Sequence, residues 1–224
     1  MKSNLWMYST GVEMRKTARA LIIFGAEVFY GAKLINDFDR LKAINEQLQT
    51  PNPGVQPIPP PEEIVAFSFE YLVDCVRILI FFENYMKGQL VARGFVVQLI
   101  NRQFPNFSDV AKDQKIRPVH IDEIQNLHPF EVNQAQNFIT HPAMLSNTLG
   151  FSILIGTSEY LKYYNFSPRI IETIKELNAY RNQLHFHNEI QFQVSDEYIA
   201  RIQELKNFAA SIVEQIHQNP NYPA

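Results

Sequence analysis

The sequence predicts an all-α protein, an antiparallel helical bundle with a long N-terminal helix. Three observations carry this. Glycine is scarce, with 8 in 224 residues, which disfavours a sheet-and-turn architecture. Apolar residues, 46% of the chain, recur at spacings of three and four, the period of a helix face. The strongest stops are prolines that separate long helical runs. The chain is long enough for one sizeable core, and its 19% charged content is that of a folded globular protein.

Thr10-Gly-Val-Glu13 has the form of a capping box, and no proline follows until Pro51, so a helix is expected over 10–50. Leu21, Phe24, Val28, Ala32, Ile35 and Phe38 are its expected inward stripe. Six prolines in residues 51–63 then exclude a helix, and a proline-rich linker is expected over 51–62. It is either a crossover between antiparallel helices or a hinge that frees the first helix for another chain.

Over 63–217 the pattern predicts the bundle itself. Glu62 and Glu63 sit at the favoured end of a helix dipole and open a run to about Arg102, with breaks expected near Gly88 or Gly94. Residues 106–130 read as irregular, with a short helix at 121–127. Short helices are expected over 131–139 and from Pro142 to about Tyr164. Ser167-Pro168 is a strong start signal for a helix reaching about His187. EIQFQV, 189–194, alternates and reads as extended. Ser195-Asp196-Glu197 caps a last helix with Ile199, Ile202, Leu205, Ala209, Ile212 and Ile216 on one face.

Composition excludes several function classes. A net charge of −3 is not that of a broadly basic nucleic-acid binder, so any RNA contact must be local. The single cysteine, Cys75, forms no disulfide framework within the chain and reads as a core thiol. The first 16 residues carry no apolar run of the signal-peptide kind. Two apolar stretches, 20–35 and 64–82, contain Glu27 and Lys33, and Glu70, Asp74 and Arg77, which fit buried helices better than membrane spans. No membrane partner and a cytoplasmic location are expected. No Gly-rich phosphate loop or zinc-protease motif occurs, and no cofactor or metal is expected. The aromatic runs at 66–71 and 159–166 read as core, since a helix lacks the flat face on which bases stack.

The segment YRNQLHFHNE, 180–189, carries the chemistry. The helix from Pro168 has an inward stripe of Ile170, Ile174, Leu177, Arg181 and Leu184, so Arg181 stands where a leucine belongs. A buried unpaired guanidinium is costly. Arg181 therefore either pairs with an acid such as Glu70 or Asp74, or faces a cleft or a second chain. His185 lies about 40° around a regular helix from Arg181, and His187 about 120° the other way. Asn182 adds an amide. A guanidinium forks onto two phosphate oxygens, and an imidazole moves protons near neutral pH. The pair suits phosphodiester cleavage without metal. A homodimer would supply the second Arg–His set that protonates the leaving oxygen. Read as structure alone, the histidines complement the negative end of the helix dipole, and His185-Phe-His187 is also half of a metal site lacking further ligands.

Arg181-Asn182 followed by His187, late in one helix and just before the closing helix, resembles the HEPN superfamily of small α-helical bundle proteins. Its motif is an arginine, often followed by a polar residue, then four to six residues, then histidine. Residues 167–217 carry the likeness. The resemblance implies a metal-independent endoribonuclease of a defence or toxin–antitoxin system, acting on RNA as a homodimer with an antitoxin or other protein partner. It assigns phosphate binding to Arg181 and orientation to Asn182. Acid–base work falls to His187, with His185 as the second choice. The alternative is a non-catalytic helical interaction protein in which the same residues are structural.

Overall fold

A computed structural model of the chain describes residues 4–8, 11–33, 37, 39, 43, 61–100, 107–125, 127, 131–133, 138–141, 148–183 and 195–223. These residues are predominantly helical: α1 (Gly11–Tyr30), α2 (Pro61–Ala92), α3 (Ser108–Asp113), α4 (Phe151–Gly156), α5 (Ser158–Leu161), α6 (Pro168–Gln183) and α7 (Asp196–Gln218). Three short strands, β1 (Asn4–Tyr8), β2 (Glu131–Asn133) and β3 (Phe138–His141), form an antiparallel sheet in the order β1-β3-β2. No helix of the described residues is long and apolar enough to cross a membrane.

The chain divides into two compact units. One comprises Met1–Phe24, Glu83–Asn165 and Gln215–Ala224; the other comprises Gly25–Phe82 and Phe166–Glu214. In the first unit, α1 and α2 approach closely. A Cβ on Gly88 would stand 2.8 Å from Ile22 Cγ1 and 3.0 Å from the Ala18 carbonyl oxygen. Gly88 therefore does not break α2; it admits the neighbouring backbone. The same contact corrects the expected face of α1. Met14, Ala18, Ile22, Ala26 and Phe29 are buried, while Phe24 is 62% exposed and Leu21 and Val28 are half-buried; of the expected stripe Ala32, past the end of α1, is buried as expected. The close approach selects the face carrying Ala18, and the burial stripe turns by about one residue, roughly 100°.

α1 stops at Tyr30, where the Gly31 amide donates to the Val28 carbonyl in a turn (3.2 Å). The helix expected to run on to Thr50 is thus not continuous. The proline linker over 51–60 lies outside the described residues, and α2 begins two residues earlier than expected, at Pro61. Proline is tolerated there because the first helical position has no N–H to satisfy. α2 ends at Ala92, not at Arg102. Gly94 adopts φ +79°, and the Phe95 amide returns to the Leu90 carbonyl (2.9 Å). This is a glycine stop of the left-handed kind. A Cβ on Gly94 would also stand 2.5 Å from His120 Nε2.

The segment read as irregular is tied by a few polar side chains. Gln114 accepts from the Ile100 amide (2.9 Å) and donates to the Gln98 carbonyl (2.7 Å), and the Tyr160 hydroxyl donates to the Gln114 carbonyl. His120 caps the short 3-10 turn Ile121–Glu123 through Nδ1, which accepts from the Asp122 amide at 3.2 Å. The helix expected over 131–139 is instead the β2–β3 pair, with Val132 opposite Ile139. β-branched residues favour strands, and the pairing partner β1 lies more than a hundred residues away, out of reach of any local pattern.

The second unit is a helical core. Its centre is aromatic: Phe82 stacks on Phe208 (centroids 5.9 Å) and meets Phe81 and Phe166 edge-on (5.1 and 5.7 Å). The stripe expected on α7 is observed, with Ile199, Ile202, Leu205, Ala209 and Ile212 buried.

Candidate functional site

α6 begins as its sequence dictates. Ser167 Oγ accepts from the Ile170 amide (3.1 Å) and donates to Glu204 on α7 (2.7 Å). Ser195 caps α7 in the same way, accepting from the Tyr198 amide (3.1 Å). Along α6, Ile170, Thr173, Ile174, Leu177 and Asn178 are buried. Thr173 satisfies its hydroxyl by donating to the Arg169 carbonyl (2.7 Å). Arg181 continues the stripe one turn later and is half-buried. The backbone of Asn182 is helical; His185 and His187 lie outside the described residues, as does the extended segment expected at 189–194. The structure therefore places Arg181 on the inward stripe of α6.

The acids that would tie Arg181 into the core are held by other cations. Glu70 pairs with Lys33 (3.2 Å), Asp74 with Arg77 (3.1 Å), and Glu176, on α6 itself, with Arg201 (2.7 Å). Among the described residues, no hydrogen bond or ion pair reaches the Arg181 guanidinium. Asn178, one turn earlier and about 60° around the helix, is a buried residue whose carboxamide oxygen also has no hydrogen-bond partner among the described residues. Leaving such an acceptor unsatisfied costs about 1–3 kcal/mol. A cation and an unmatched acceptor thus stand on one edge of the same two turns.

A second feature beside this turn was not legible in the sequence. The hydroxyls of Tyr71 on α2 and Tyr198 on α7 are hydrogen-bonded to each other, and the Tyr71 ring meets Tyr180 edge-on at 6.3 Å. Cys75 is buried beside them. Burial pushes its thiol up to about 12, and pushes both buried tyrosines well above their ordinary value. Tyr180, which donates to Glu176 (3.2 Å), is also raised, first by burial and then by that carboxylate. All of these groups stay protonated at neutral pH. A buried, protonated thiol of this kind behaves as packing, and the cluster carries internal hydrogen bonds. No group of three or more metal-ligating side chains occurs among the described residues.

No protein-family model matches the chain, and comparison with curated proteins and with solved structures finds no significant similarity.

Proposed function

We propose that the protein is a metal-independent endoribonuclease of the HEPN type, serving a defence or toxin–antitoxin system. In this reading Arg181 binds the scissile phosphate and His187, or else His185, takes the proton from the ribose 2′-hydroxyl. The 2′-oxygen attacks phosphorus, the bond to the 5′-oxygen breaks, and a second histidine, from the partner in a homodimer, protonates that oxygen. The products are a 2′,3′-cyclic phosphate and a 5′-hydroxyl. Asn182 orients the phosphate. An antitoxin would act by covering the site, and the work would be done in the cytoplasm.

One observation carries the reading: Arg181 stands on an apolar stripe with no carboxylate of the described residues upon it. A guanidinium so placed needs an anion, and phosphate oxygens fit its fork. The competing reading, a non-catalytic helical interaction protein, draws on the exposed apolar side chains Ile23, Phe24, Phe69 and Val73. The two are separated by incubating purified protein with total RNA in EDTA. The ribonuclease reading expects cleavage that Arg181→Ala slows strongly while the melting temperature holds. Intact RNA at every protein concentration, the same for wild type and variant, supports the interaction protein instead.

A further inference from the structure

Asp74, Lys87, Gln89, Gln114, Thr173 and Asn178 are the buried polar residues among those described. All but the last are matched. Asp74 accepts from Arg77, Lys87 donates to Glu83 and Thr148, Gln89 donates to Tyr222, Gln114 to the Gln98 carbonyl and Thr173 to the Arg169 carbonyl. Asn178, 8% exposed, stands apart, because its carboxamide oxygen has no hydrogen-bond partner among the described residues. An unmatched buried acceptor lowers the stability of a fold, and native proteins carry few of them. A donor is at hand on the same helix. Arg181 follows Asn178 by three residues, which sets their Cβ atoms about 5–6 Å apart. Helical side chains lean toward the N-terminus of their helix, so Arg181 lies back over the turn that carries Asn178.

We propose that Asn178 is a positioning residue for an anion held by Arg181. With phosphate on the guanidinium, the Asn178 oxygen accepts one N–H from its inner edge and fixes the plane of the fork. A guanidinium has five N–H donors; a phosphate held by the fork takes two, and others remain for a neutral acceptor. Neutrality matters here. A carboxylate in that place would hold the guanidinium by itself and compete with phosphate, as Asp113 and Glu123 hold Arg117. A carboxamide oxygen orients the cation and leaves its charge for the ligand. The fold thus carries a destabilising group where the site needs a preorganised one, a recurrent compromise between stability and function. The inference deepens the ribonuclease reading and rests on it for the choice of phosphate as the anion.

The test uses the full chain, with inorganic phosphate and a 2′-O-methyl oligoribonucleotide as probes. Asn178→Leu removes the unmatched acceptor and keeps an apolar side chain in its place; Asn178→Ala removes it without adding volume. The melting temperature is expected to rise in Asn178→Leu, or to hold in Asn178→Ala should leucine not fit. Affinity for both probes is expected to fall about tenfold, the size of one lost hydrogen bond to a charged group. A residue with a structural role alone would not move stability and affinity in opposite directions. Variants that bind both probes as the wild type does, or that lose affinity only in step with a fall in melting temperature, overturn the proposal. So does a wild type that binds neither probe better than Arg181→Ala does. Phosphate affinity that depends on Asn178 beside intact RNA leaves this inference standing and the ribonuclease reading fallen. RNA cleavage that Arg181→Ala slows and neither Asn178 variant alters does the reverse.

Discussion

Arg117 and Arg181 are both half-buried arginines near the end of a helical stretch, and they differ in what surrounds them. Arg117 is saturated: Nη2 meets Asp113 at 3.0 Å and Glu123 at 2.7 Å, and Nη1 reaches Glu123 and the Pro118 carbonyl. These carboxylates raise its pKa further, and the guanidinium in turn lowers that of Glu123. Its acids are local, four residues before and six after. Arg181 has Leu177 four residues before it and His187 six after it in the sequence, and neither is an acid. Arg117 brings its counter-charges with it in the sequence; Arg181 has none at those spacings. Arg77 follows the first pattern, through Asp74 three residues before it, whereas Arg201 draws its acid, Glu176, from another helix.

Removing these arginines should give different results. If the proposed ribonuclease reading holds, the largest effect is on cleavage: Arg181→Ala should lower the rate by about 10²–10³, as the loss of one preorganised donor to a developing oxyanion does. Arg117→Ala should leave it unchanged, as measured by single-turnover assay of a labelled RNA. Next comes Arg201→Ala, which takes the counter-charge from the half-buried Glu176 carboxylate, leaving it the Tyr180 hydroxyl, and is expected to cost about 2 kcal/mol in urea melts, below the full cost of breaking a deeply buried pair. A third test is alkaline. Cys75 is raised in the fold, so the stability it contributes is complete below its ordinary value near 9 and is lost as pH rises towards about 12. Each such group should remove roughly 1.4 kcal/mol per pH unit in that window. Cys75→Ala should flatten the slope of the melting temperature against pH above 9. The smallest effect is Arg117→Ala on stability, at or below about 1 kcal/mol, because its ion pairs are well exposed to solvent. A loss there matching that of Arg201→Ala would show that the exposure of an ion pair, greater at Arg117 than at Arg201, does not set its worth.

Much of the second unit was legible because its signals are local. Ser167 and Ser195 cap the helices they announce, and the α7 stripe from Ile199 to Ile212 is the buried one. Arg181 was visible as an interruption of a stripe, which needs only the helical period. What could not be read depends on residues distant in the chain. The face of α1 is set by the close approach at Gly88, and β3 is a strand because β1 pairs with it. Likewise the Tyr71–Tyr198 hydrogen bond joins two helices whose stripes read as ordinary core. Glu70 and Asp74 were reasonable partners for Arg181; Lys33 and the neighbouring Arg77 hold them instead.

The central claim is that the Arg181 guanidinium remains open to an anion from outside. It is tested most directly by following the guanidinium N–H resonance of Arg181 during titration with a 2′-O-methyl oligoribonucleotide, which binds but lacks the attacking hydroxyl. A saturable shift that weakens with added salt, in step with a loss of affinity in Arg181→Ala, is the predicted result. A resonance already fixed by a carboxylate of its own chain, and unmoved by the oligonucleotide, would contradict the account.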